Sequence, residues 1–176
     1  DKALLEKIDG VQHREKFRIR YYNDDRSFIT LERKLKHNDL CRKVDAPLTA
    51  GDYCRLLQAP GPWMLEHPQP LVRELYCKMK TQQLRPRVLV SYVREPYVYA
   101  AGNVRVTFDS HIRTSLFQRE FSDGVILDIC ATDTPSDVIL EVKYDAFLPD
   151  VIRALLQTGA LRQQAFSKYG ACRRFG

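Results

Sequence analysis

The chain has 176 residues, a net charge of +6 and a 44% apolar composition. This length and apolar content suffice for a buried core and argue against global disorder. No apolar run approaches the ~20 residues of a membrane-spanning helix, and the modest positive charge suits a polyanionic partner without choosing one.

In chain order, Asp1 to Ile8 has helical periodicity, with Ala3, Leu4, Leu5 and Ile8 on one side and Gly10 as its stop. From Lys16 to Lys43 two alternating runs flank Asn23-Asp24-Asp25, which reads as an antiparallel hairpin. Lys16, Arg18 and Arg20 share one face of the first run, and Phe17, Ile19 and Tyr21 the other. In the second run Thr30, Glu32, Lys34 and Lys36 oppose Ile29, Leu31 and Leu35. Like charges side by side on paired strands destabilise a sheet unless solvent or an anion neutralises them. Asn38 to Lys43 reads as a loop or bent strand that keeps Arg42 and Lys43 near the charged face.

Ala46 to Gln58 is expected to be a helix, capped by Thr49 with Asp52 completing a capping box. Ala59-Pro60-Gly61-Pro62 breaks the chain. A second helix is expected over Gln69 to Gln83, with Leu71, Val72, Leu75, Tyr76 and Met79 as its core side. Arg87 to Val93 reads as a strand that leads to Arg94 and resumes at Tyr97 to Tyr99. Ala101-Gly102-Asn103 is a turn, and Val104 to Asp109 is a strand with Arg105, Thr107 and Asp109 on one face. Phe117 to Asp137 is less regular, with short strands at most. Val138 to Tyr144 is a strand with Glu141 and Lys143 on one face. Pro149 to Gln157 is a helix, apolar at Val151, Ile152, Leu155 and Leu156, and Ala165 to Arg174 is a basic, aromatic close.

Charges thus recur on several strand faces, and apolar helix sides need a surface to cover. An open sheet backed by helices satisfies this pattern, and so does a barrel with its charges inside and its helices outside. The predicted fold class is α+β, with an antiparallel β-barrel tunnel and helices packed on its outside as one of these two arrangements, formed by one domain over residues 1–176. Arg and Lys at such density suit a chain of phosphates. Glu32 and Glu141 among them would either pair with neighbouring cations or hold a divalent cation against phosphate. The five cysteines form no CxxC pair and match no zinc-ligand spacing, the pattern of reduced thiols in a cytoplasmic compartment. Tyr21, Tyr22, Tyr92, Tyr97 and Tyr99 raise a nucleic-acid reading. Carboxylates interleaved with the cations fit that class poorly, so no nucleic-acid partner is expected.

The strings EKFRIRYYN, LERKLKHNDLCRK, REPYVY followed by NVRVTFD, LEVKYDAFLPDVI and FSKY resemble, in order and spacing, the VTC-type polyphosphate polymerase domain of the triphosphate tunnel metalloenzymes. The resemblance runs from about Asp9 to Arg173. It implies a barrel tunnel that binds ATP or another triphosphate, inorganic polyphosphate, and Mn²⁺ or Mg²⁺. Arg18 and Arg20 then resemble the arginines that grip the phosphate chain, and Lys34 and Lys36 the lysines of the next strand. Arg94 and Arg105 resemble the arginines that complete the cradle, with Tyr92 placing a phosphate. Glu141 resembles the metal-binding glutamate, and Lys168, beside Ser167, the late lysine at the transferred phosphate. Lys168, Arg94 and Arg105 are therefore the expected catalytic residues. The implied activity is transfer of the ATP γ-phosphoryl to polyphosphate. Hydrolysis on the same fold, or polyphosphate or nucleotide binding without catalysis, are its alternatives. The family's first strand, with acidic residues and a lysine, has no counterpart in DKALLEKI, so it is expected upstream of residue 1. A membrane-protein partner outside this sequence would hold the domain at the cytoplasmic face of a membrane.

Overall fold

The computed structural model describes residues 5, 9–38, 40–115, 129–157, 159 and 163–174. The chain divides into two compact units, Asp1–Pro86 and Arg87–Gly176. Each carries one antiparallel sheet with a few short helices, an α+β composition. Among the described residues neither sheet closes into a barrel. No helix of the described residues is long and apolar enough to cross a membrane.

The first unit is built on β1 (His13–Tyr22), β2 (Asp25–His37) and β3 (Leu40–Leu48), in that order. Asn23 and Asp24 both hold positive φ, 53° and 55°, which a two-residue hairpin turn of matching twist requires. The register sets Arg18 opposite Glu32 and Lys16 opposite Lys34, so the expected row of like charges is interrupted by one carboxylate. Of the loop or bent strand expected at Asn38–Lys43, β3 is the strand, from Leu40 onward. It runs through Ala46, Pro47 and Leu48, which were expected to begin a helix. Ala46 and Leu48 lie opposite Leu31 and Ile29 and are buried, so sheet packing overrides helical propensity there.

Helix α1 (Ala50–Gln58) starts instead after Thr49, whose hydroxyl accepts from the Asp52 N–H while Asp52 returns a bond to the Thr49 N–H. Helix α2 (Pro70–Thr81) buries Leu71, Val72, Leu75 and Met79. Both helices pack with Ile29, Leu31, Ala46 and Leu48, and Phe17, Ile19 and Tyr21 join them from β1. Arg33 anchors the sheet to α2 through Glu74, and Lys78 of α2 reaches Glu15 of β1 at 2.7 Å. One sheet face therefore carries the core. The opposite face keeps the cations.

In the second unit β4 (Leu89–Tyr99) pairs with β5 (Val104–Ser115). On the other side of β5 lie β6 (Ile129–Cys130) and β7 (Ile139–Lys143). β4 runs unbroken through Pro96 because it is an edge strand among the described residues, where a missing N–H is tolerated. Gly102 turns the chain between β4 and β5 with φ +75°, and a Cβ there would stand 2.5 Å from the Phe147 carbonyl oxygen. Ile112, Ala131 and Cys172 form a small core with Val88, Val90, Tyr92 and Ile139 around it.

Helix α3 (Asp150–Leu155) is shorter than expected, and Pro149 caps it rather than opening it. Val151 and Leu155 of its expected apolar side are exposed, Leu155 by 73%. The closing segment yields a helix that its composition did not announce, α4 (Lys168–Cys172), capped by the Ser167 hydroxyl. The helix expected over Asp1–Ile8 lies outside the described residues except at Leu5. The Leu5 carbonyl accepts the Asp9 N–H ahead of the turn at Gly10. Residues 117–128 of the irregular segment also lie outside them.

Candidate functional site: two carboxylate-centred cation clusters

Strand alternation places Lys16, Arg18 and Arg20 of β1, Lys34 and Lys36 of β2, and Lys43 of β3 on the face of the first sheet opposite its core. Glu32 stands at the centre of this face and is only 4% exposed. Its Oε2 accepts from Arg18 Nε, and its Oε1 from Arg20 Nη1 at 3.1 Å and from Lys43 Nζ at 3.0 Å. Lys43 also meets Asp45 at 2.9 Å. Burial alone would raise the Glu32 carboxyl pKa, but Lys43, Arg18 and Arg20 outweigh it and hold the group below its ordinary value. Lys34 and Lys36 continue the face without an ion pair among the described residues. Arg20 lies over the Tyr22 ring at 4.7 Å, which fixes its direction.

The second unit repeats the scheme. Cross-strand pairing puts Arg94 beside Asp109, Thr107 beside Glu141 and Arg105 beside Lys143, so these side chains share one face of β4, β5 and β7. Asp109 is fully buried, at 0% exposure. Arg94 grips it with a fork, Nε to Oδ1 at 2.6 Å and Nη2 to Oδ2 at 2.7 Å. Lys168 Nζ reaches Oδ2 at 2.5 Å. Both cations rest over the Tyr92 ring, at 5.2 and 5.1 Å from its centre. Burial pushes the Asp109 carboxyl up, but Arg94 and Lys168 outweigh it and keep it ionised below the usual carboxylate range. Glu141 takes Lys143 Nζ at 3.0 Å and lies 3.4 Å from Arg94 Nη2. Its pKa is lowered too: burial opposes the shift, and Lys143, Lys168 and Arg94 prevail.

The structure thus gathers Tyr92, Arg94, Glu141 and Lys168 into one cluster. Arg105 projects from the same strand face two positions beyond Thr107, exposed and without an ion pair among the described residues. Ser167 adjoins Lys168, and its hydroxyl oxygen accepts the Gly170 N–H at 3.1 Å. Arg18, Arg20, Lys34 and Lys36 share one face of the first sheet.

Sequence reasoning missed Asp109 and Lys43 as site residues. Asp109 was visible as the acidic end of the Arg105–Thr107–Asp109 alternation, but nothing local announced that it would meet Arg94 and Lys168. Lys43 was read as lying near the charged face, but its bond to Glu32 depends on the β2–β3 pairing, which no local signal carries.

A divalent cation needs oxygen donors that are not already neutralised. Glu32 and Asp109 are saturated by cations. Among the described residues no group of three or more His, Cys, Asp or Glu side chains could hold a metal. Glu141 is the carboxylate of the second cluster with partly open access, as Asp45 is of the first. One carboxylate suits Mg²⁺ or Mn²⁺ when phosphate oxygens supply the other ligands, which is how these ions sit in phosphoryl-transfer sites.

No curated protein sequence and no solved structure matches this chain. The family model of the VTC domain matches residues 1–175, slightly more than the span carried by the motif strings. Matching almost the whole sequence, it establishes that the chain belongs to the VTC domain family.

Proposed function

We propose that this VTC domain is a polyphosphate polymerase-type phosphotransferase, moving the γ-phosphoryl group of ATP onto a growing polyphosphate chain. Polyphosphate chemistry is what this family is associated with. The observation that carries the reading to these residues is the cluster of Arg94, Lys168 and Glu141 around Tyr92 and Asp109, with Arg105 open on the same face. Two fixed cations, one free arginine and one accessible carboxylate are what a loose phosphoryl transition state requires, since its charge spreads over the equatorial oxygens. The acceptor is itself a phosphate, so no nucleophilic side chain is needed.

In this reading Arg18, Arg20, Lys34 and Lys36 bind the phosphate chain, and Arg94, Arg105 and Lys168 hold the reacting phosphates in line. Glu141, with phosphate oxygens, would hold Mn²⁺ or Mg²⁺, which supplies charge neutralisation on those oxygens. The barrel-tunnel architecture of the triphosphate tunnel metalloenzymes is part of the same proposal. So is a cytoplasmic setting, with a membrane-protein partner tethering the domain.

The test is ATP turnover with Mn²⁺ and with EDTA, resolving products by chain length, for the wild type and Glu141→Gln. Long polymers with ADP are expected, abolished by EDTA and by the substitution, while polyphosphate binding persists. Orthophosphate as the sole product would reassign the site to a triphosphate or polyphosphate hydrolase. A noncatalytic polyphosphate- or nucleotide-binding subunit is the second reading, favoured by the absence of a multi-carboxylate metal site among the described residues. Tight binding without any turnover would establish that second reading.

A further inference from the structure

The most deeply buried charge in either cluster belongs to Asp109, to which neither the motif nor the proposed chemistry gives a part. A fully buried carboxylate is costly unless its lone pairs are met by well-placed cations. Here both oxygens are taken: Arg94 uses Nε and Nη2 in a planar fork, and Lys168 uses one of its ammonium protons. These bonds leave the Nη1 edge of Arg94 and two protons of Lys168 for another acceptor. They also fix where those donors point. Lys168 is the more telling case, because its flexible four-carbon stem lets the ammonium wander unless a partner holds it. Among the interactions of the described residues, Asp109, the Tyr92 face and the nearby charge of Glu141 restrain its ammonium, and of these Asp109 is the one at ion-pair distance.

Other parts for Asp109 fit less well. It has no oxygen left for a metal. A purely structural ion pair would not need to join an arginine of β4 to a lysine of α4 in front of one aromatic ring. We infer that Asp109 is a positioning residue that sets the donors of Lys168 and Arg94 for phosphoryl transfer. This inference rests on the phosphotransferase reading above.

The experiment compares kcat and KM for ATP-driven polyphosphate synthesis in the native protein and in Asp109→Asn, with binding of labelled polyphosphate in parallel. The amide keeps the size of the side chain but turns one acceptor into a donor facing a cation. A displacement of the donors by about an ångström is expected to lower kcat about 100-fold, with KM changed less than about threefold. Lys168→Ala gives a second test that does not require Asp109→Asn to fold. Asp109 keeps its Arg94 fork there and should recruit ethylammonium into the vacated place, restoring turnover saturably. Combining Lys168→Ala with Asp109→Asn should abolish that rescue.

Unchanged kcat in a folded Asp109→Asn protein, or a rise confined to KM, would overturn the inference while the wild type remained active. Failure of ethylammonium to rescue Lys168→Ala would do the same. A wild type that bound polyphosphate but turned over no ATP would overturn the inference together with the reading beneath it.

Discussion

Replacing Glu32 by Gln should destabilise the first unit and at the same time tighten its grip on polyphosphate. Glu32 is buried under Arg18, Arg20 and Lys43, so the neutral amide leaves three cations crowded on one sheet face. Exposed pairs contribute about 0–1 kcal/mol each and a better-buried charge-assisted bond about 1.5–3. Arg18 and Lys43 are half-exposed and Arg20 is mostly covered, so the expected loss is about 2–3 kcal/mol. The single tryptophan, Trp63, packs against the first unit's core and reports its unfolding by fluorescence. The urea midpoint should fall by about 1–2 M, given a slope of about 1–3 kcal/mol per molar.

The carboxyl of Glu32 is held below its ordinary pKa, so it binds fewer protons folded than unfolded in the acid range. Its contribution is therefore complete above the unfolded carboxylate value of about 4.3 and is lost as pH falls through the lower folded value. The gap between wild type and Glu32→Gln should stay flat from about pH 5.5 to 8 and close on acidification. Saturating polyphosphate should also narrow it, because Arg18, Arg20 and Lys43 then find phosphate oxygens in place of the carboxylate. A Glu32→Gln protein as stable as the wild type at neutral pH would refute the clamp. A stability gap indifferent to polyphosphate would mean that the phosphate chain does not lie on this face.

Arg105→Ala should weaken polyphosphate binding about tenfold, roughly one charge-assisted bond. It should leave thermal unfolding unchanged, since Arg105 has no ion pair among the described residues to lose; titration with labelled polyphosphate beside a melting curve separates the two. Gly102→Ala should destabilise the second unit by about 2 kcal/mol or more, the combined effect of a left-handed backbone and a methyl forced onto the Phe147 carbonyl. Hydrogen exchange of the β5 amides reads that loss directly, and protection equal to the wild type would refute it.

The strand faces were legible because their period is local. Alternation places Phe17, Ile19, Ile29 and Leu31 against the core and Arg18, Arg20 and Glu32 away from it, and the folded sheet has the same sides. The α1 cap was legible for the same reason, as a four-residue signal closing on itself. The end of β3 was not, because Ala46, Pro47 and Leu48 acquire their strand state from Leu31, Thr30 and Ile29 across the ladder, a pairing that no window of sequence contains. Nor was the extent of α3, whose apolar pattern reads as a buried side although Val151 and Leu155 stand exposed.

The candidate site divides along the same line. Residue types at motif spacing named Tyr92, Arg94, Glu141 and Lys168, yet not what organises them. In each unit the organiser is a buried acid, Glu32 or Asp109, that a charge-counting reader takes for a flaw in a basic face. A dense basic face without such an anchor would repel itself and let its long side chains wander. One buried carboxylate under each group of cations offsets part of that repulsion and orders the donors, while further donors remain available to an incoming polyanion. The acids are therefore as much a part of the proposed anion-binding surface as the cations, and their placement depends on long-range pairing that appears only when the chain is folded.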